Sequence, residues 1–215
     1  MTVLLHGWGN TSPSAARVVR PRGPEEVAAA LTDAGSRGAL PRGLGRSYGD
    51  AAQDAGGLVL DCTGLTGAIR FDPSREEVSA AAGTSLGELI EHLLPRGAFL
   101  PVTPGTRHVT LGGAIAADVH GKNHHVDSSL GAHVRALTLI TPDGSTHRLG
   151  PEHGDTELFW ATVGGMGLTG VITEATLTTI PVESAHVRVD TDRTTDLDTT
   201  LALLSQDSQD RYSVA

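Results

Sequence analysis

Apolar positions in the first sixty residues fall into short blocks punctuated by glycine and proline, and their spacing predicts strand, helix, strand. Residues 17–20 (Arg-Val-Val-Arg) read as a short strand. The helix that follows has Pro24 in its first turn, with Glu25 and Glu26 favouring its positive end. Val27, Ala30, Leu31 and Ala34 give it one apolar stripe at helical spacing, ending near Gly35. Residues 39–41 make the returning strand, and this β-α-β opening implies parallel pairing. Residues 57–61 form another buried strand, and residues 68–72 and 77–80 a hairpin about Pro73-Ser74. Ser85 and Glu88 have the spacing of a capping box, opening a helix that runs to Leu94 before Pro95. A second hairpin joins residues 134–140 to 145–149 through Pro142-Asp143-Gly144. A short helix at 157–162 and a strand at 171–180 complete this part, the strand placing Val171, Thr173, Ala175, Leu177 and Thr179 on one side.

From Pro181 the pattern changes. Alternation at 186–190, a polar acidic helix around 197–204 and a strand at 212–214 look like the β-α-β opening of a further domain that stops at Ala215. The expected organisation is therefore residues 1–181 as one domain and 182–215 as the beginning of a truncated second one, in a fragment of a longer protein.

Punctuation carries the candidate chemistry. Pro41-Arg42-Gly43-Leu44-Gly45-Arg46-Ser47-Tyr48-Gly49-Asp50-Ala51 packs three glycines, two arginines and two hydroxyls into one loop after a strand. Glycines let successive main-chain N–H groups turn inward and a bound group approach closely, which suits a pyrophosphate. Gly112-Gly113 and Gly164-Gly165-Met166-Gly167 add two further turns of this kind. A Rossmann site is excluded, because residues 51–57 are too short for the helix that must follow the glycines, and the lysine of a nucleoside triphosphatase loop is missing. A ligand-free glycine connection is the plain alternative, but it makes poor use of Arg42, Arg46 and Ser47.

Composition narrows the classes. The formal charge of −9 argues against general nucleic-acid binding, though a local basic pocket from Arg42, Arg46, Arg107 and Lys122 remains open. One cysteine, Cys62, excludes an intrachain disulfide framework and reads as a packed structural thiol. No metal site is expected: His120, His124 and His125 lack an acidic or thiolate residue to complete a ligand set. Neither a membrane-spanning run nor a secretory signal is visible, so the sequence reads as cytoplasmic, with peripheral membrane or envelope association through a substrate or partner left open.

Four segments together carry a resemblance: residues 41–50, residues 104–116, His120-Gly121-Lys122-Asn123-His124-His125, and Phe159 to Gly170. They resemble the FAD-binding domain of the vanillyl-alcohol-oxidase-like (PCMH-type) flavoproteins, and within them the decaprenylphosphoryl-β-D-ribose 2-oxidase family. The resemblance implies an α+β fold of two α/β lobes with FAD between them, followed by a substrate domain. It implies that Pro41 to Ala51 wrap the pyrophosphate, that Gly105, Thr110, Leu111, Gly112 and Gly113 form a second wall, and that Ala117, Asp118, Val119 and His120 pass beside the flavin. Ile172 would meet the adenine end.

The implied catalytic residues are His120, Lys122 and Tyr48, with Lys122 as the cation near the flavin or the substrate phosphate. Relatives with covalent flavin place a histidine where this sequence has Arg46, so noncovalent FAD is expected. The implied reaction is oxidation of the C2 hydroxyl of a polyprenyl-phosphoryl ribose to a 2-keto sugar for arabinan cell-wall precursors, which a partner NAD(P)H-dependent reductase would complete. The alternatives are an FAD-linked sugar or alditol oxidase and a non-catalytic nucleotide-binding remnant.

Overall fold

The computed structural model describes residues 1–206 and 210–215 and contains two main sheets. The first gathers β1 (Thr2–Leu5), β2 (Ser14–Val19), β3 (Ala39–Arg42) and β4 (Leu58–Asp61), with α1 (Pro24–Thr32) between β2 and β3. Its order is β1-β2-β4-β3: β1 and β2 are antiparallel, while β2 and β3 each run parallel to β4. The expected parallel arrangement is therefore present, with β4 inserted between the two strands. Leu58, Val59 and Leu60 are buried, as befits the central strand of a parallel set covered on both faces. Val27 and Leu31 of α1 close over Leu58 and Leu60, and this small core continues into Ile140 and Val171 of the second sheet.

The second sheet comprises β5 (Arg70–Asp72), β6 (Glu77–Ala81), β8 (Val134–Ile140), β9 (Thr146–Leu149) and β10 (Val171–Thr178). Its order is β5-β6-β10-β8-β9, antiparallel throughout. Between β6 and β8 run α2 (Leu86–Leu93), the two-residue β7 (Ala98–Phe99), α3 (Leu111–Ala116) and the single turn α4 (His124–Asp127). After β9 come α5 (Thr156–Thr162), β10, and β11 (Ile180–Pro181), which pairs with β7. The main core lies on one face of this sheet, where Leu86, Leu89, Leu93, Leu111, Ile115 and Phe159 from the helices meet Leu137, Leu139 and Leu177.

Local signals explain most elements. At the start of α2 the Glu88 N–H donates to Ser85 Oγ at 3.1 Å, and Ser85 N–H donates to the Glu88 carboxylate at 2.8 Å. Leu86, Leu89 and Leu93 then fall on one buried stripe. Along β10 the alternation is broken at a bulge between Ile172 and Glu174, so Val171, Ile172 and Thr173 are all buried.

Three expectations need correction. The strand at 171–180 is two strands, because the chain leaves β10 after Thr178 and residues 180–181 pair with β7 instead. Residues 186–190 and 212–214 join no ladder among the described residues. Alternation specifies a face, whereas a strand also needs a neighbour to take its hydrogen bonds. Between them the expected helix does form, as α6 (Leu197–Gln206), with Leu197 and Leu201 exposed. Residues 207–209, part of the second domain expected at 182–215, lie outside the described residues.

Because Ser85 satisfies an N–H that the first turn of α2 otherwise leaves open, Ser85→Ala should cost about 1 kcal/mol of stability. Urea unfolding of the variant measures this directly, and an unchanged midpoint would deny the cap its role.

Candidate functional site

A cavity lies between the two sheets, walled by the loop after β3, the segment around α3 and the turn after α5. The first wall is built by hydrogen bonds that point its carbonyls outward. Trp8 N–H donates to the Ser47 carbonyl at 2.7 Å, and Gly9 N–H to the Tyr48 carbonyl at 3.2 Å. In a trans peptide the N–H of the same unit points the opposite way, so Tyr48 N–H and Gly49 N–H face away from Trp8. Among the described residues, no main-chain N–H from residue 43 to residue 52 donates to a protein acceptor. Gly45 reaches this geometry with a φ of 66°, a region that L side chains rarely adopt.

Arg42 holds the loop closed. Its Nη1 donates to the Ala52 carbonyl at 2.7 Å and its Nη2 to the His6 carbonyl at 2.7 Å. Burial lowers its pKa, an effect that nearby Asp61 opposes. Arg46 lies over the Trp8 ring, 4.4 Å from its centroid, and its Nε donates to the His108 carbonyl at 3.2 Å.

In the second wall the glycine turn spends its N–H groups within the protein. Leu111 N–H donates to the Thr84 carbonyl and Gly112 N–H to the Ala82 carbonyl, both at 2.8 Å, while Gly113 N–H donates to Thr110 Oγ1 at 3.2 Å. Glycine is needed here for closeness: a Cβ on Gly112 would lie 2.9 Å from the Ala82 methyl, and one on Gly43 would overlap Thr110 Oγ1. The third wall is tied to α3 by Met166 N–H, which donates to the Ala116 carbonyl at 2.8 Å, and Gly167 lies against Pro41.

Of the residues singled out from sequence, the cavity brings together Pro41, Arg42, Gly43, Leu44, Gly45, Arg46, Ser47 and Ala51 with Thr110, Gly112, Gly113, Ala117, Val119 and Ile172. It does not include Tyr48, Gly49, Asp50, Gly105, Leu111, Asp118 or His120. Leu111 points into the core. Asp118 serves structure: at a φ of 42° its carboxylate accepts from Ser129 Oγ and Gly131 N–H, both at 2.8 Å. Tyr48 is 78% exposed, and His120 and Lys122 are exposed beyond Val119, where the chain leaves the cavity. Lys122 sits in a segment held elsewhere. Asn123 is buried and donates to the Pro101 carbonyl at 2.8 Å and to Asp127 at 2.6 Å. Arg211 grips the same carboxylate through two bonds of 2.7 and 2.8 Å, and that contact leads the causes holding Asp127 below the usual carboxylate range.

Ala82, Cys62, Thr162, Met166, Gly167 and Gly170 also line the cavity. The glycine turn at 164–167 flagged part of this wall, but nothing local marks Ala82 or Cys62. Burial pushes the Cys62 thiol up to about 12, so it contributes a neutral, packed surface rather than a nucleophile.

Comparisons with known proteins fit this geometry. The FAD binding domain family model matches residues 15–150, more than half of the chain. The chain is 47% identical over 215 residues to decaprenylphosphoryl-β-D-ribose oxidase of Mycolicibacterium smegmatis, covering 99% of this chain and 47% of that protein. It is 29% identical over 180 residues to an alditol oxidase of a Streptomyces species, covering 82% and 42% of the two chains. It is 30% identical over 189 residues to L-gulono-1,4-lactone dehydrogenase of Mycobacterium tuberculosis, covering 86% and 43%. The chain spans about half the length of the curated relatives it matches, at 47%, 42% and 43% of these three.

The approach of Gly43 to Thr110 gives a sharp test. Gly43→Ala should weaken FAD binding about tenfold or more by forcing the two walls apart, as overpacking does elsewhere. Gly49→Ala, whose Cβ would meet open space, should leave it nearly unchanged. Flavin fluorescence titration compares the two; equal effects would contradict the close-approach argument.

Proposed function

This chain belongs to the FAD binding domain family, and from that premise we propose that it is the flavin-holding portion of an oxidoreductase acting on the C2 hydroxyl of a polyprenyl-phosphoryl ribose. The observation that carries the cofactor half of this reading is the run of unpaired amides at residues 43–52, of which 43–47, 51 and 52 line the cavity opposite Gly112 and Gly113, whose own amides are satisfied. A diphosphate accepts many hydrogen bonds and suits such a concavity without a matching set of lysines. Thr110 and the glycines of the second wall set the channel width, while Ala117, Val119 and Ile172 supply apolar surface along it. Bound FAD would supply the hydride acceptor for oxidation of the carbinol.

The substrate half rests on the identity to the decaprenylphosphoryl-β-D-ribose oxidase, which runs along nearly the whole chain and exceeds that to the alditol oxidase. In this reading His120 and Lys122, exposed where the chain leaves the cavity, face the sugar phosphate, with Tyr48 at the opposite rim. Lys122 brings positive charge toward the phosphate. Residues 1–181 form the flavin domain and residues 182–215 begin the substrate domain. The 2-keto product would pass to an NAD(P)H-dependent reductase, and a lipid-linked substrate would bring the protein to a membrane surface. Among the described residues no helix is long and apolar enough to cross a membrane.

Arg46 occupies the position from which a histidine would tether the flavin, and a guanidinium remains protonated and engaged with Trp8. The FAD is therefore held noncovalently. Acid precipitation of the FAD-loaded protein should leave the yellow chromophore in the supernatant; a coloured pellet would refute the assignment. In protein carrying the further length found in its relatives, anaerobic polyprenyl-phosphoryl ribose should bleach the flavin band. Bleaching by a soluble alditol and not by the phosphoribosyl lipid would favour the alditol oxidase reading instead.

A further inference from the structure

The second sheet buries one face in the core and presents the other to solvent, where a groove runs across β5, β6, β10, β8 and β9. This groove shares no lining residue with the flavin cavity. Its floor is made of small residues brought into line by register: Ser79 pairs with Thr176, and Thr176 with Ala136. The Ser79 and Thr176 hydroxyls meet at 2.8 Å. Four guanidinium groups border it, from Arg70, Arg75, Arg135 and Arg148.

A bulge puts Arg135 there. Thr176 faces Ala136 but Leu177 faces Val134, which leaves Arg135 as the extra residue in β8. Val134 is buried, Arg135 exposed and Ala136 half-buried, so both residues 135 and 136 sit on the outer side. Two of the four arginines are neutralised, Arg70 by Glu174 and Arg75 by Glu77 at 3.1 Å. The remaining lining carboxylate, Asp72, is turned into its own loop, accepting from Ser74 N–H at 2.9 Å, Ser74 Oγ at 2.7 Å and Arg75 N–H at 3.3 Å, and keeps one negative charge against the two of Arg135 and Arg148. Among the described residues Arg135 and Arg148 enter no ion pair. His153 closes one end, fixed by its bridge to Gly150.

Two arginines outside any ion pair, over a hydroxyl-bearing floor, leave the groove a surplus of positive charge in a chain of formal charge −9. We infer that this groove is an anion site that takes a phosphate group, Arg135 and Arg148 donating to its oxygens with Ser79 and Thr176 beneath. Guanidinium forks match phosphate oxygens in geometry as well as charge, whereas an isolated surface arginine pair without a shaped floor would bind nothing selectively. The phosphate could be carried by a lipid headgroup or by a soluble molecule, and the chemistry at the groove is the same for both.

Titrating FAD-loaded, isotopically labelled protein with inorganic phosphate tests the site by NMR. Saturable amide shifts should appear at residues 134–136 and 148–153. Arg135→Gln with Arg148→Gln should weaken that binding about tenfold or more, with FAD retention unchanged. Arg188→Gln with Arg193→Gln removes the same charge elsewhere on the exposed surface and should leave it intact. Phosphatidylglycerol vesicles then identify the source. Pelleting of the native protein that the groove variant loses assigns a lipid headgroup, while phosphate shifts without pelleting assign a soluble phosphate. Either result supports the site. Shifts that never saturate, or equal weakening by the control substitutions, would overturn it.

Discussion

Main-chain N–H groups that lack a protein acceptor must find one in water or in a ligand, and the loop from residue 43 to residue 52 offers ten of them. From residue 43 to residue 52 the backbone withholds its donors from the rest of the protein, while its carbonyls at Ser47 and Tyr48 are taken by the N-terminal segment. An arrangement that uses the acceptors and leaves the donors free favours an anion on the donor side. The remainder of the molecule can be understood as the support this loop requires.

That support comes from both sheets. β3 and β4 run parallel, so the loop departs from the same edge of the first sheet as Cys62, which forms part of the cavity wall. Arg42 bonds to both ends of the loop's surroundings, Ala52 and His6, and Trp8 stacks on Arg46, so the first strand pair is part of the site's scaffold rather than an appendage. The second sheet brings α3 up against the loop; the absence of a side chain at Gly43 sets how near the two halves come, while that at Gly112 seats α3 against Ala82. The proposed noncovalent retention of FAD would depend on shape and donors, since Arg46 offers no nucleophile and Cys62 is buried and neutral.

Much of this was legible in the chain. α1, α2 and the two hairpins follow from periodicity, a capping box and turn residues, which act over a few positions. The loop at 41–51 was legible because glycine beside arginine and serine has a specific backbone use. β1 was not, since four residues of half-buried pattern acquire meaning only when β2 lies alongside. Ala82 and Cys62 reach the cavity through tertiary approach, and no local motif announces that. The alternation at 186–190 misled for the converse reason: it has a face but no partner strand. His120 and Lys122 were identified by resemblance, and the geometry leaves them at the exit of the cavity, not in its wall.

The most direct measurement is amide hydrogen exchange on the folded chain, alone and with saturating FAD, ADP or riboflavin. The account predicts that FAD and ADP, which carry a diphosphate, slow exchange across residues 43–52, while riboflavin does not. Protection confined to other segments, or produced equally by riboflavin, would contradict the claim that these amides hold the diphosphate.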